Sequence, residues 1–260
     1  MTADPLELVS GLVARGEVGA AQVAYCRDGH TVHAAFGDCD EQSRFALASL
    51  TKPLIALACL VACDEGVLDL DTPLTEYVAE AACTASLREL LSHASGLPAD
   101  SPVARRVQVA PDGTWETVAS AYAALQPIEP PRTRRIYSNA GYALAALALE
   151  RAAELSHRTY VEESVLESLG MTRTTLGADA ADPTIVPVRQ PGLLGHGQRL
   201  FNDERFRVLG LPQSGGFGTA DDYLRFLRCC AGAGPTLLDE ELRQELLRNQ
   251  CGALAGGVGD

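Results

Sequence analysis

An α+β fold is predicted by three features of the sequence: a hairpin pattern near the start, helical periodicity through the middle, and too few strand-like runs for a parallel sheet. The hairpin comes from Ala21 to Phe36, where AQVAYC and TVHAAF flank Arg27-Asp28-Gly29-His30. Asp-Gly tolerates positive φ, so the two runs are expected to fold back antiparallel. A helix is expected before them, over residues 5–17.

After the hairpin, the apolar stretch from Ser49 to Glu65 (ending LIALACLVACDEG) predicts a buried helix stopped by Gly66. Helical spacing recurs at 86–93, 115–125, 140–155 and 159–169. Between 181 and 214 the chain is rich in Pro and Gly and weakly periodic, which predicts a long ordered loop. Thr219-Ala220-Asp221-Asp222 opens the next helix, with Thr219 or Asp221 as its cap. A last helix is expected over 239–249. Residues 1–80 and 215–260 are thus read as an α/β part with a small, incomplete sheet, and 81–214 as a mainly helical region.

The composition narrows the function. Of 260 residues, 47% are hydrophobic and 21% charged, the balance of a globular protein. A net charge of −13 repels a phosphate backbone, so nucleic acid is excluded as a partner. The longest apolar run, Pro53 to Cys63, is too short to span a bilayer, so no membrane role is expected. Acidic residues Asp4 and Glu7 and the absence of a long apolar run at the start do not resemble a secretory signal, and a cytoplasmic location is expected. In a reducing compartment the eight cysteines are read as free thiols. Cys59 and Cys63 are read as core positions on one helix face, with no second Cys/His pair to complete a metal site.

Twenty of the 21 basic residues are arginine and one is lysine, Lys52. Arginine stays protonated in any protein environment, whereas a lysine can be driven towards neutrality. A position kept as lysine in that background suggests chemistry that needs a titratable amine. Ser49 lies three residues earlier, on the same face of a helix start. There the backbone N–H groups are unpaired and the dipole lowers an amine's proton affinity. A serine hydroxyl needs an adjacent base to attack a carbonyl, and this spacing supplies one.

The flanking sequence carries a resemblance. FALASLTKPLIALACLVACDEGVLDLDTPLTEY, followed by SLRELLSHASGLP, resembles the β-lactamase-related serine hydrolases: class C β-lactamases, D-alanyl-D-alanine carboxypeptidases and esterases of the same fold. Tyr137-Ser138-Asn139 looks like the family's Tyr-x-Asn element, and SGGFGTADDYLRF like its glycine-rich turn into a helix. The likeness runs from about residue 18 to residue 246 and implies a β-lactamase/transpeptidase-like fold. It also implies a catalytic set: Ser49 as nucleophile, Lys52 as base or base-activator, Tyr137 as proton shuttle against Lys52, and Asn139 donating its amide to the substrate or to Lys52. Whether Lys52 or Tyr137 takes the first proton stays open. No cofactor or metal is implied. Ser92 and His93 are read as a structural corner, and His196 as a surface-loop histidine.

One family element is missing. Lys-Thr-Gly is impossible with Lys52 the sole lysine, and none of the five histidines precedes Thr-Gly. That triplet would lie on a later strand, so the chain is expected to be C-terminally truncated, lacking the last strands of the sheet. The same strand would give the oxyanion its second N–H, and losing one such donor typically costs ~10²–10³ in rate. The resemblance therefore implies hydrolysis of a small ester or amide through an acyl-Ser49 intermediate, weakened by truncation. The alternatives are β-lactamase or D-Ala-D-Ala carboxypeptidase activity, and an impaired remnant that binds a ligand or partner.

Overall fold

The first helix, α1 (Pro5–Ala14), starts where the Asp4 side chain accepts the Leu6 N–H, with proline in the opening turn where its missing donor costs nothing. This computed structural model describes residues 4–189 and 200–254. Next comes the expected hairpin, β1 (Ala20–Arg27) and β2 (His30–Gly37), paired from Ala20↔Gly37 to Arg27↔His30. Its two turn residues, Asp28 (φ 50°) and Gly29 (φ 79°), both take the left-handed conformation that a two-residue turn of this hand requires.

A second, three-stranded antiparallel sheet has the order β3 (Phe45–Ala46), β5 (Gly216–Gly218), β4 (Thr175–Leu176). These strands are too short to show a period of two. The stretch expected as a glycine-rich turn therefore holds the central strand, with Phe217 opposite both Ala46 and Thr175.

The core is helix against helix. In α2 (Thr51–Asp64) eleven residues are buried, and in α7 (Asn139–Ala153) ten are. Helices apolar on every side belong at the centre of a molecule, and these two pack on each other. Cys59 is wholly buried there, one of the core positions expected for it. Around this pair lie α3 (Leu74–Tyr77), α4 (Leu87–Leu91), α5 (Pro102–Val107) and α6 (Trp115–Ala123). Ser86 and Glu89 form a capping box on α4. The helix expected over 159–169 divides into α8 (His157–Val161) and a π-helical turn (Glu162–Glu167).

The expected long loop contains a helix, α9 (Glu204–Leu209), capped by Asp203, whose carboxylate accepts the Arg205 and Phe206 N–H groups. At six residues it is too short for periodicity to reveal. Residues 190–199, His196 among them, lie outside the described residues. The two closing helices are α10 (Ala220–Cys230), with Thr219 as the cap, and α11 (Glu240–Leu247), capped by Asp239. α10 packs on β1, joining the hairpin to the rest. Among the described residues no helix is long and apolar enough to cross a membrane.

Candidate active site

The turn that carries Ser49 begins with an unusual backbone. Ala48 has φ 48°, a left-handed conformation that an alanine adopts at a cost of about 1–2 kcal/mol. It opens a single 3-10 turn (Ala48–Leu50) leading into α2. The turn is clipped to β5 from two sides. Leu47 N–H donates to Gly216 O at 2.9 Å, and Gly216 N–H donates to Thr51 Oγ1 at 2.9 Å. The same Thr51 hydroxyl donates to Ala48 O at 2.7 Å. Gly216 must be glycine for this approach, because a Cβ there would lie 2.8 Å from Thr51 Oγ1. Ser49 itself is exposed. An apolar groove beside it is lined by Leu47, Leu50, Tyr223 and Leu227 with β1.

Lys52 points back at Ser49. Its Nζ donates to Ser49 Oγ at 3.0 Å and to the main-chain oxygen of Gln213 at 2.8 Å. The side chain is 3% exposed. Burial therefore pulls its proton affinity below that of an ordinary lysine, while the Tyr137 phenol and the Asp100 carboxylate oppose that fall. The ammonium lies 4.9 Å from the centre of the Tyr137 ring and 5.9 Å from that of Tyr142. The structure thus brings Ser49, Lys52 and Tyr137 together.

Tyr137 is held by what precedes α7. Ser138 caps that helix, its Oγ accepting the Gly141 N–H and donating to Pro98 O at 2.7 Å. The Ser138 N–H donates to His93 Nδ1 at 3.0 Å, and the Ile136 N–H to His93 O at 2.9 Å. The His93 ring lies 4.4 Å from that of Tyr137 and 5.2 Å from that of Tyr142. Burial, with Arg135 and Lys52 nearby, lowers its pKa to about 4, so at neutral pH it is uncharged. An Nδ1 that accepts leaves the ring proton on Nε2. The corner expected at Ser92-His93 is present, with His93 at φ 63°, and it is also the backing of the Tyr137 ring.

Asn139 sits at the first turn of α7, where its N–H donates to Ala99 O at 2.8 Å. Its Nδ2 donates to Asp100 Oδ2 at 3.0 Å, a carboxylate partner with no signal in the sequence. Gln213 was equally silent: it contributes a main-chain oxygen, which every residue possesses. Its nearness to Gly215-Gly216 was the one available sign.

The family model described as Beta-lactamase matches residues 7–258. The chain belongs to the Beta-lactamase family. Family members are serine hydrolases, and the fold is β-lactamase/transpeptidase-like. Among curated relatives, Protein Rv1367c of Mycobacterium tuberculosis is 31% identical over 226 residues, 73% of this chain and 54% of that protein. Esterase EstB of Burkholderia gladioli is 30% identical over 254 residues, 82% of this chain and 63% of that protein. The chain therefore spans little more than half the length of the curated relatives it matches. Among solved structures, the penicillin-binding protein homologue from Pyrococcus abyssi superposes with a TM-score of 0.75 at 20% identity, covering 92% of this chain and 58% of that one. At that identity the likeness concerns the fold.

Proposed function

We propose that this member of the Beta-lactamase family hydrolyses a small ester or amide through an acyl-Ser49 intermediate. The 3.0 Å contact between Lys52 Nζ and Ser49 Oγ carries the reading, made by a lysine whose burial favours the neutral amine. In the reactive state the Ser49 proton passes to Lys52 or Tyr137 as Oγ attacks the carbonyl carbon. The Ser49 N–H, on the 3-10 turn that leads into α2, binds the oxyanion in this reading. Collapse of the tetrahedral species expels the alcohol or amine, which leaves with the proton. Water then attacks the acyl-serine, releases the acid and restores the Ser49 hydroxyl.

An ester is favoured over a β-lactam or a D-Ala-D-Ala peptide. Esterase EstB aligns with 82% of this chain, which supports the ester reading. Incubation with a fluorophosphonate or a p-nitrophenyl ester, followed by intact mass, tests the function. One adduct is expected on the wild type and none on Ser49→Ala; equal labelling of that variant would remove Ser49 as nucleophile.

A further inference from the structure

Tyr137 lies just before α7, outside any helix or strand, so no regular element fixes its phenol. One residue brackets it instead. The Ile136 N–H donates to His93 O at 2.9 Å, and the Ser138 N–H donates to His93 Nδ1 at 3.0 Å. The neighbours on both sides of Tyr137 therefore hang from His93. The two rings also pack together, their centres 4.4 Å apart and their planes tilted by 36°. Over the same Tyr137 ring sits the Lys52 ammonium, 4.9 Å from its centre.

His93 is itself held in place. It is 8% exposed, and its φ of 63° turns the chain at the end of the α4 segment. Tyr142, whose ring centre lies 5.2 Å from that of His93, donates its hydroxyl to Leu91 O at 2.9 Å. The Arg132 N–H donates to Ala94 O at 2.7 Å and the Asn139 N–H to Ala99 O at 2.8 Å, so the attachment continues in both directions. Within it His93 contributes a main-chain acceptor, a side-chain acceptor and a ring, and all three converge on Tyr137 or its two neighbours. The side-chain bond needs a bare Nδ1, because a proton there would set two N–H donors face to face.

Resting on the hydrolase reading, we propose that His93 is the positioning residue of Tyr137. It acts through that side chain, holding the phenol where a proton passes between Ser49, Lys52 and the leaving group. A reacting group misplaced by about 1 Å is enough to cost about 10² in rate. A histidine that only stabilised the fold would lower activity whether or not a phenol stood at position 137. A positioning histidine matters only while the phenol is there.

A double-mutant cycle on the full chain tests this, read as the rate of Ser49 labelling by a fluorophosphonate at neutral pH and followed by intact mass. His93→Asn tolerates the left-handed backbone but lacks the ring. In the wild-type background it is expected to slow labelling by about 10–10². In Tyr137→Phe, where no phenol remains to be placed, the same change is expected to cost less than about threefold. Equal losses in the two backgrounds overturn the proposal and assign His93 to the fold alone. So does normal labelling by His93→Asn, or by Tyr137→Phe on its own. A second measurement needs no variant: in ¹⁵N NMR of the wild type at neutral pH, His93 is expected as the Nε2–H tautomer, with its Nδ1 coupled to the Ser138 amide. A proton on Nδ1, or no such coupling, overturns the proposal whether or not the variants fold. If the fluorophosphonate fails to label Ser49 in the wild type, the hydrolase reading falls first and takes this one with it.

Discussion

His93 Nδ1 receives the Ser138 N–H at 3.0 Å, and this bond ties the end of the α4 segment to the start of α7 beneath Tyr137. The histidine has its pKa lowered from 6.5 to about 4, so its contribution to stability depends on pH in a known direction. The unfolded chain binds this proton more readily than the folded one. The contribution is complete above the unfolded value and is lost as pH falls from 6.5 towards 4. Thermal unfolding of wild type and His93→Gln across that range is expected to show a gap that narrows with acidification, by about 1–3 kcal/mol. A constant gap would mean that His93 is not held neutral.

Lys52→Arg keeps the charge and abolishes the base. Arginine cannot lose its proton here, so labelling of Ser49 by a fluorophosphonate is expected to slow by about 10²–10⁴. Labelling at the normal rate would show that the amine's proton takes no part.

Tyr137→Phe removes only the hydroxyl beside Lys52, leaving the ring that packs on His93. Acylation is expected to fall by about 10²–10⁴ with little change in melting temperature. A variant that melts much earlier but labels normally would assign Tyr137 to packing.

Thr51→Val removes the hydroxyl that donates to Ala48 O and accepts the Gly216 N–H. It leaves a buried N–H unpaired, so a loss of about 1–3 kcal/mol in denaturant unfolding is expected. Labelling of Ser49 should fall as well, because the clip holds the nucleophile turn against β5. Normal labelling by a destabilised variant would separate the clip from the chemistry.

Lys52 was legible because composition made it conspicuous, and Asp28-Gly29 because a turn of that hand selects those residues. Thr219 was legible as one of two capping candidates, and the structure decides for it. What stayed hidden arrives from far along the chain. Gln213 reaches Lys52 across 161 positions through a main-chain oxygen, and Asp100 reaches Asn139 across 39. Neither leaves a spacing pattern. His93 was noticed, but only as a corner, because ring-on-ring contact with Tyr137 depends on how two loops cross. Short strands such as Gly216–Gly218 are set by their neighbours and not by their own alternation.

The backbone at Ala48 has a consequence for which residues the position accepts. Glycine would relieve the left-handed φ and would, by itself, favour that conformation in the folded chain. It would also let the loop sample many other shapes before β5 closes on it. A small side chain that tolerates the geometry while narrowing the alternatives keeps the hydroxyl of the next residue aimed outward. Branched side chains are disfavoured at that φ, and glycine would leave the turn looser.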